Sequence, residues 1–340
     1  MTRLAVVVVT HDSTRVIGPT LRALVPQLRD DDELVVVDCG SRDDPGALLG
    51  ELAPSARLVE LGENRGFAGG AAVGAEHSSA PLLFFLNPDT VPGPGCLDAL
   101  RATAEARPRW GAWQGLVLLP GGSRVNTRGG VVHFLGFGWA GGHDEPAAGV
   151  PDEPVEVAFA SGAAMAVRRA AWEEVGGFDP AFFMYGEDLD VSLRLRLAGW
   201  GVGMDPAARV EHEYEFHKGD AKWFQLERNR WWIVLGTYPA ALLALLAPAL
   251  LLSELALLAV AGRGGWLGAK LRAQLAVLRT LPMALRRRRA IQSRRRDGAD
   301  FVASLTASLD SPFLGPAAQL TAIRRLQAGY WRAVRGALGG

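Results

Sequence analysis

Hydrophobic residues fill the first ninety positions of this chain in short unbroken runs rather than in alternation. Leu4 to Val9 is a β-branched run, Glu33 to Val37 a second, Leu58 to Leu61 a third and Pro81 to Leu86 a fourth. Runs of this length predict strands buried on both faces. A helix is expected from about Arg15 to Leu28, with Asp12 or Ser13 placed to cap it. Strand, helix and strand in that order predict a parallel sheet, whose ligands bind at the carboxyl ends of the strands.

Further on, Ala158 to Val167 reads as another strand, and Val202 to Met204 and Arg209 to Val210 as short strand-like pieces. Leu189, Leu193 and Leu197 recur at helical spacing from Glu187 onward, and Gly199 offers a stop. Leu119 to Val157 is rich in glycine and carries Arg128, His133, Trp139 and His143; it reads as a variable surface excursion or as a hairpin over a substrate. From Trp231 to Ser253 the chain is uncharged and long enough to cross a bilayer. Pro239 and Pro248 interrupt that run, and Glu254 precedes a second apolar stretch to Ala261. A kinked spanning helix, a re-entrant or interfacial helix and a buried core helix all fit. Trp266 to Arg289 interleaves apolar and basic positions, as an amphipathic helix on anionic lipid would, or a helical appendage packed on a domain or partner. Beyond Ser311 the pattern predicts nothing.

Charge and cysteine usage narrow the class. The formal net charge of zero hides an asymmetry, because Arg263 to Arg296 contains no Asp or Glu. No nucleic-acid module pattern accompanies that run, so a solvated or lipid-facing surface is expected and no nucleic-acid partner. Trp223, Trp231 and Trp232 beside Arg228 and Arg230 match a membrane interface. Cys39 and Cys96 are the two cysteines, which argues against a disulfide framework or a cysteine metal cluster and fits a reducing compartment. The N-terminal apolar core is too short and too soon polar for a secretory signal.

Polar residues gather where the predicted strands end. Asp38, with Ser41 and Asp43, follows the second strand and suits a base and ribose, or serves a turn beside Gly40. Gly66, Gly69, Gly70 and Gly74 follow the third; they lack the opening of a dinucleotide fingerprint and either let a phosphate or sugar approach the backbone or pack a helix closely. Asn87-Pro88-Asp89-Thr90 follows the fourth, as a turn or as a hard-cation site completed by substrate phosphates. Glu187, Asp188 and Asp190 crowd the first turn of a helix after Met184-Tyr185-Gly186. Asp190 is expected to pair with Arg194 one turn on. Glu187 and Asp188 have apolar neighbours and each other, which raises a carboxylate pKa and makes a general base.

Taken together, the N-terminal strand into Thr10, DCGSRD at 38 to 43, NRGFAGG at 64 to 70, LNPDT at 86 to 90, SGAAMAVRR at 161 to 169 and GGFDPAFFMYGEDLD at 176 to 190 resemble family-2 glycosyltransferases of the GT-A fold, in the bacterial rhamnosyltransferase-like branch. The resemblance covers about residues 4 to 215. It implies an α/β GT-A nucleotide-diphospho-sugar transferase, with a Rossmann-like mixed sheet flanked by helices over residues 1–216. Residues 1–90 would bind the nucleotide sugar, 91–216 would supply the acceptor side and the base, and 217–340 a helical, apolar and basic membrane-associating region. Asp188, beside Glu187, is implied as catalytic base. Thr10, Asp38, Ser41, Asn64, Gly66, Phe67, Asn87 and Asp89 are implied as the donor-binding set, with Asp38 on the base. Asp89 is implied as the acid of a D-x-D-like site for Mn²⁺ or Mg²⁺, completed by His212. Asn87 stands where the stricter pattern has its first acid, which leaves the metal site short of charge. Cys39 stands where the family often has Asn, and Ala71 and Ala72 where an Asn is common. His217 and Lys218 are further candidates for contact with the diphosphate or an anionic acceptor. The activity implied is inverting transfer of a sugar, best L-rhamnose from dTDP-rhamnose, otherwise from another UDP- or GDP-sugar. The acceptor would be a lipid-linked or cell-envelope glycan at the cytoplasmic face of a bacterial membrane. A sugar nucleotidyltransferase is the second class, but THDSTRV lacks its Gly-rich loop; a catalytically silent membrane scaffold is the third.

Overall fold

The four apolar runs form one half of a sheet, with the third at its edge and only partly buried. β1 (Leu4–Thr10), β2 (Glu33–Asp38), β3 (Arg57–Glu60) and β4 (Leu82–Leu86) lie parallel, in the order β4-β1-β2-β3. Every residue of β1 and β4 is buried, which is why neither shows alternation. A computed structural model of the chain describes residues 2–213, 219–296, 299–310 and 321–339. It divides into two units, one of Met1–Gly130, Ala140–Leu195 and Trp200–Tyr214, the other of Val131–Trp139, Arg196–Gly199 and Glu215–Gly340. His217, Lys218 and the expected domain boundary at 216 lie outside the described residues.

In the first unit, α1 (Thr14–Leu24), α2 (Pro45–Leu52) and α3 (Gly66–Glu76) connect the parallel strands. α1 stops short of Leu28: Val25–Gln27 is a 3-10 turn containing Pro26, which has no N–H to continue the helix. Neither Asp12 nor Ser13 caps it. Asp43, from the loop after β2, accepts from the Thr14 N–H at 2.8 Å and from its hydroxyl at 2.7 Å.

β5 (Thr90–Pro92), α4 (Cys96–Ala106), β6 (Trp110–Leu118) and β7 (Val125–Thr127) follow. After β8 (Gly130–His133) and β9 (Gly138–Ala140) come β10 (Val155–Glu156), β11 (Ala164–Arg168), α5 (Arg169–Val175), α6 (Glu187–Leu197) and β12 (Gly201–His212). They complete a ten-stranded mixed sheet ordered β10-β12-β6-β11-β4-β1-β2-β3, with β5 on β12 and β7 on β6. Two expectations change. Of Ala158 to Val167 only the end from Ala164 is strand, and the two pieces near 202 and 209 are one 12-residue strand broken by an irregularity between Asp205 and Arg209. Asp205 stabilises that break by accepting from the Thr103 hydroxyl at 2.8 Å and the Ala207 N–H at 2.9 Å. Leu4, Val8, Phe84, Trp113 and Val210 belong to the core beneath the sheet.

The second unit is helical: α7 (Gly219–Thr237), α8 (Ala240–Arg263), α9 (Leu267–Arg279), α10 (Leu281–Ser293), α11 (Ala299–Ala303) and α12 (Thr321–Ala337), with β13 (Leu305–Thr306) joining β8 and β9 in a small sheet. The apolar run from Trp231 to Ser253 is not one helix; its first residues close α7, and Pro239 stands at the cap of α8. Trp266 to Arg289 likewise divides into α9 and α10 at Thr280, with a proline in the first turn of α10. Part of the basic run is structural. Arg288 Nη1 donates to the carbonyls of Leu235 and Tyr238 at 2.7 Å each, and Gln292 donates to those of Gly236 and Thr237 at 2.9 and 3.0 Å. These bonds satisfy the carbonyls that the end of α7 leaves open.

Candidate functional site

The parallel pairing that buries β1 and β2 also aligns their ends, so Thr10 sits opposite Asp38. Both are buried, and the Thr10 hydroxyl has no hydrogen-bond partner. Asp38 accepts from the Ser41 N–H at 3.1 and 3.2 Å and from the Ser41 hydroxyl. Ser41 Oγ in turn accepts from the Asp12 N–H at 2.9 Å, and Asp12 pairs with Arg42 at 2.6 Å. The two strand-end loops are thereby laced together, with Asp38 held by its own turn.

The segment after β3 is fixed from the other side. Asn64 Oδ1 accepts from the Gly66 N–H at 2.9 Å. Gly66 has φ +66, and a Cβ there would lie 2.2 Å from the Phe183 carbonyl oxygen, which accepts from the Ala68 N–H at 3.1 Å. Gly70 and Gly74 do the packing: a Cβ would stand 2.6 Å from Val9 Cγ1 at the first and 2.3 Å from Val7 Cγ1 at the second. Phe67 leans on Phe178, ring centroids 5.6 Å apart.

After β4, the Asn87 N–H donates to the Ala163 carbonyl at 3.0 Å, and the Thr20 hydroxyl bonds the carbonyls of Pro88 at 2.8 Å and Thr90 at 2.6 Å. Antiparallel pairing sets His212 opposite Thr90. That register, more than a hundred residues away in sequence, brings His212 Nε2 to 3.2 Å from Asp89 Oδ1. Two ligands at neighbouring positions on one octahedral divalent ion stand about 3 Å apart, which this pair matches. Among the described residues no three His, Cys, Asp or Glu side chains group as metal ligands, and the pair they offer is one carboxylate and one imidazole. A hard ion held by those two takes its remaining ligands from water and phosphate oxygens.

The acids of α6 divide by surroundings. Asp190 is buried and paired with Arg194 at 2.7 Å, and Arg194 also donates to the Val175 carbonyl at 2.6 Å. Asp188 is partly exposed: Oδ2 accepts from the Gly162 N–H at 3.0 Å and Oδ1 from the Leu189 N–H at 2.7 Å. Burial pushes its pKa up against those hydrogen bonds, which pull it down. Glu187 is buried, its Oε2 has no hydrogen-bond partner, and burial followed by the charge of Asp188 raises its pKa well above the carboxylate range. Both shifts favour the protonated form, and that of Glu187 is the stronger. The turn before them is strained, with Phe183 at φ 64 and Tyr185 at φ 70.

In the sequence, Ser161-Gly162-Ala163 reads as a place where an acceptor could approach the backbone; in the structure the Gly162 N–H donates to Asp188. Since Ala163 next to it holds Asn87, two consecutive residues connect the base-bearing helix to the loop carrying Asp89. Side-chain patterning carries no signal for this, because the contacts are made through the backbone of Gly162 and Ala163. A cavity of about 990 Å³ lies at the opposite ends of these strands beside Thr2, Leu82 and Arg168 and takes in none of the residues above.

A mixed sheet with acids at the carboxyl ends of its parallel strands puts them where ligands bind in open α/β sheets. The family model described as Glycosyltransferase like family 2 matches residues 2–233, and the chain belongs to that family. A Mycobacterium tuberculosis protein named N-acetylglucosaminyl-diphospho-decaprenol L-rhamnosyltransferase is 32% identical over 239 residues, 62% of this chain and 75% of its own. Among solved structures, GalNAc-T7 with UDP, GalNAc and Mn²⁺ aligns at TM-score 0.58 and 16% identity, covering 69% of this chain and 48% of its own. The mannosyltransferase PcManGT from Pyrobaculum calidifontis, in complex with GDP-Man and Mn²⁺, aligns at TM-score 0.50 and 19% identity over 86% of each chain. The chain is a glycosyltransferase of the rhamnosyltransferase-like branch.

Proposed function

We propose that this enzyme is inverting and dependent on a divalent metal, and that it moves L-rhamnose from dTDP-rhamnose to a lipid-linked or cell-envelope glycan acceptor at the cytoplasmic face of the membrane. The hydrogen bonds from Gly162 to Asp188 and from Asn87 to Ala163, which tie the base-bearing helix and the strand-end loop to neighbouring backbone groups, carry the reading. The relative's name supports rhamnose and a diphosphate-linked lipid acceptor.

Thr10 and Asp38 with its Ser41 turn hold the base and ribose; Asn64, Gly66 and Phe67 wall the donor; Asn87 meets ribose or sugar. Asp89 and His212 would hold Mn²⁺ or Mg²⁺, which would supply positive charge against the departing diphosphate. Asp188 takes the proton of the acceptor hydroxyl as that oxygen bonds to the anomeric carbon and the carbon–diphosphate bond breaks on the other face. Inversion follows from that direction of attack. Glu187, neutral beside it, adds no second negative charge to the crevice. Purified chain with Mn²⁺ and separate dTDP-, UDP- and GDP-sugars tests this. Rhamnose transfer, or slow hydrolysis of dTDP-rhamnose alone, supports the reading. Turnover of another donor replaces the sugar, and pyrophosphate release from a nucleoside triphosphate replaces the class.

A further inference from the structure

The second unit buries charge where its most apolar helix crosses two polar ones. Glu254 lies in the second half of α8 on the stripe formed by Leu242, Leu246, Leu250 and Ala261, all buried. Its carboxylate takes the Lys270 ammonium of α9 at 2.7 Å, the Gln274 amide at 2.9 Å and the Arg230 guanidinium of α7. Lys270 also reaches Glu227 of α7 at 2.5 Å and is fully buried. The opposite side of α8 is apolar and open: Leu251, Leu252, Leu255 and Val260 are 55–66% exposed. α9 repeats the pattern, burying Lys270 and Ala273 while Leu271, Leu275 and Leu278 are 45–67% exposed.

We propose, resting on the membrane contact in the reading above, that this unit is a monotopic anchor. α8 and α9 lie in the plane of one leaflet with their exposed leucines in the acyl boundary, and α8 does not cross. α8 is long enough to span, at 24 residues or about 36 Å. Spanning would draw Glu254 into the hydrocarbon, and with it the helices that pair with it. Those helices carry Asp220, Glu227, Arg228 and Arg230 on α7 and Lys270, Arg272 and Arg279 on α9, so they cannot follow. Lying flat, α8 keeps its charge pointing inward to the network while its leucines face lipid. The occupant is an anionic bilayer, because Arg263 to Arg296 begins where α8 ends, has no acid, and, with Lys270 buried in the network and Arg288 bonded to α7, still leaves eight exposed arginines.

The test places a fluorophore on Ala244→Cys, Leu252→Cys and Val260→Cys in the full chain and reads quenching by lipids brominated at known depth, in phosphatidylglycerol vesicles and in phosphatidylcholine vesicles. Equal, shallow depth at all three sites, in the anionic vesicles and weakened by salt, is the expected result. A deep Leu252→Cys between shallow flanking sites would show a spanning helix and overturn the proposal while leaving membrane contact intact. Absence of quenching in either vesicle, or a stable dimer that shields the labels, overturns both the anchor and the membrane reading. Donor hydrolysis by the same labelled proteins reports separately on the glycosyltransferase site and confirms that each is folded. Arg286→Glu with Arg289→Glu should lower binding to anionic vesicles at least severalfold and leave hydrolysis unchanged.

Discussion

Asp188 and Glu187 differ by one position, and the difference decides what each can do. Asp188 is partly open, with two backbone N–H groups orienting its lone pairs and holding its pKa down against burial; Glu187 is sealed, and burial with the charge of Asp188 drives it further toward the protonated form. Asp188→Asn therefore removes the base and should reduce transfer by roughly 10²- to 10⁴-fold with donor affinity kept. Glu187→Gln replaces a protonated acid with a near-isostere and should retain most of the rate; single-turnover transfer with dTDP-rhamnose separates the two. The sign of the pH dependence follows from the same shift. A base works when ionised, and burial raises the Asp188 pKa, so kcat/KM should fall as pH drops through a value above the ordinary carboxylate range. A profile flat down to that range would remove Asp188 from the role. The pairing of Asp190 with Arg194 was legible from four-residue spacing alone; the split between Glu187 and Asp188 was not, because it depends on which of two adjacent side chains the helix turns inward.

Among the elements, the turn from Phe182 to Gly186 and the start of α3 act as one piece, joined where Gly66 meets the Phe183 carbonyl. Gly66→Ala puts a methyl 2.2 Å from that oxygen at a φ of +66, and should cost about 1–3 kcal/mol of stability while displacing the donor loop and the base-bearing turn together. Thermal unfolding and KM for the donor should shift in the same variant; a stability loss with unchanged KM would uncouple the two segments. The parallel strands and their polar ends could be read from sequence because each is local: an apolar run, then a turn residue. What escaped was set by pairing at a distance. The merging of two strand pieces through the bulge at Asp205 and the cap that Asp43 lends to α1 have no local signature, and the β5–β12 register that delivers His212 to Asp89 has none either, so that pair is expected only through the family resemblance. The division of the long apolar run at Pro239 was signalled by the proline itself, yet run length alone favoured continuity.

Within the helical unit two buried features make stability depend on charge. Lys270→Met leaves Glu227 and Glu254 facing each other with Arg230 alone to offset them, and should destabilise the fold by about 3–5 kcal/mol, measured by urea unfolding. His133 supplies a pH response of definite sign. It is fully buried on β8, its Nδ1 accepts from the Leu135 N–H at 3.2 Å, and burial pushes its pKa down to about 4 from an ordinary 6.5. Above the ordinary value both folded and unfolded chains carry neutral imidazole, and no stability is lost. Between the two values the unfolded chain takes up a proton that the folded chain refuses, so stability falls as pH drops, by at most about 3 kcal/mol when the lower value is reached. His133→Asn keeps an oxygen to accept from Leu135 and has no proton to gain. Urea midpoints at neutral pH and at about pH 5 should therefore differ less in the variant than in the parent. An equal drop in both would assign the acid sensitivity to the carboxylates of the fold instead.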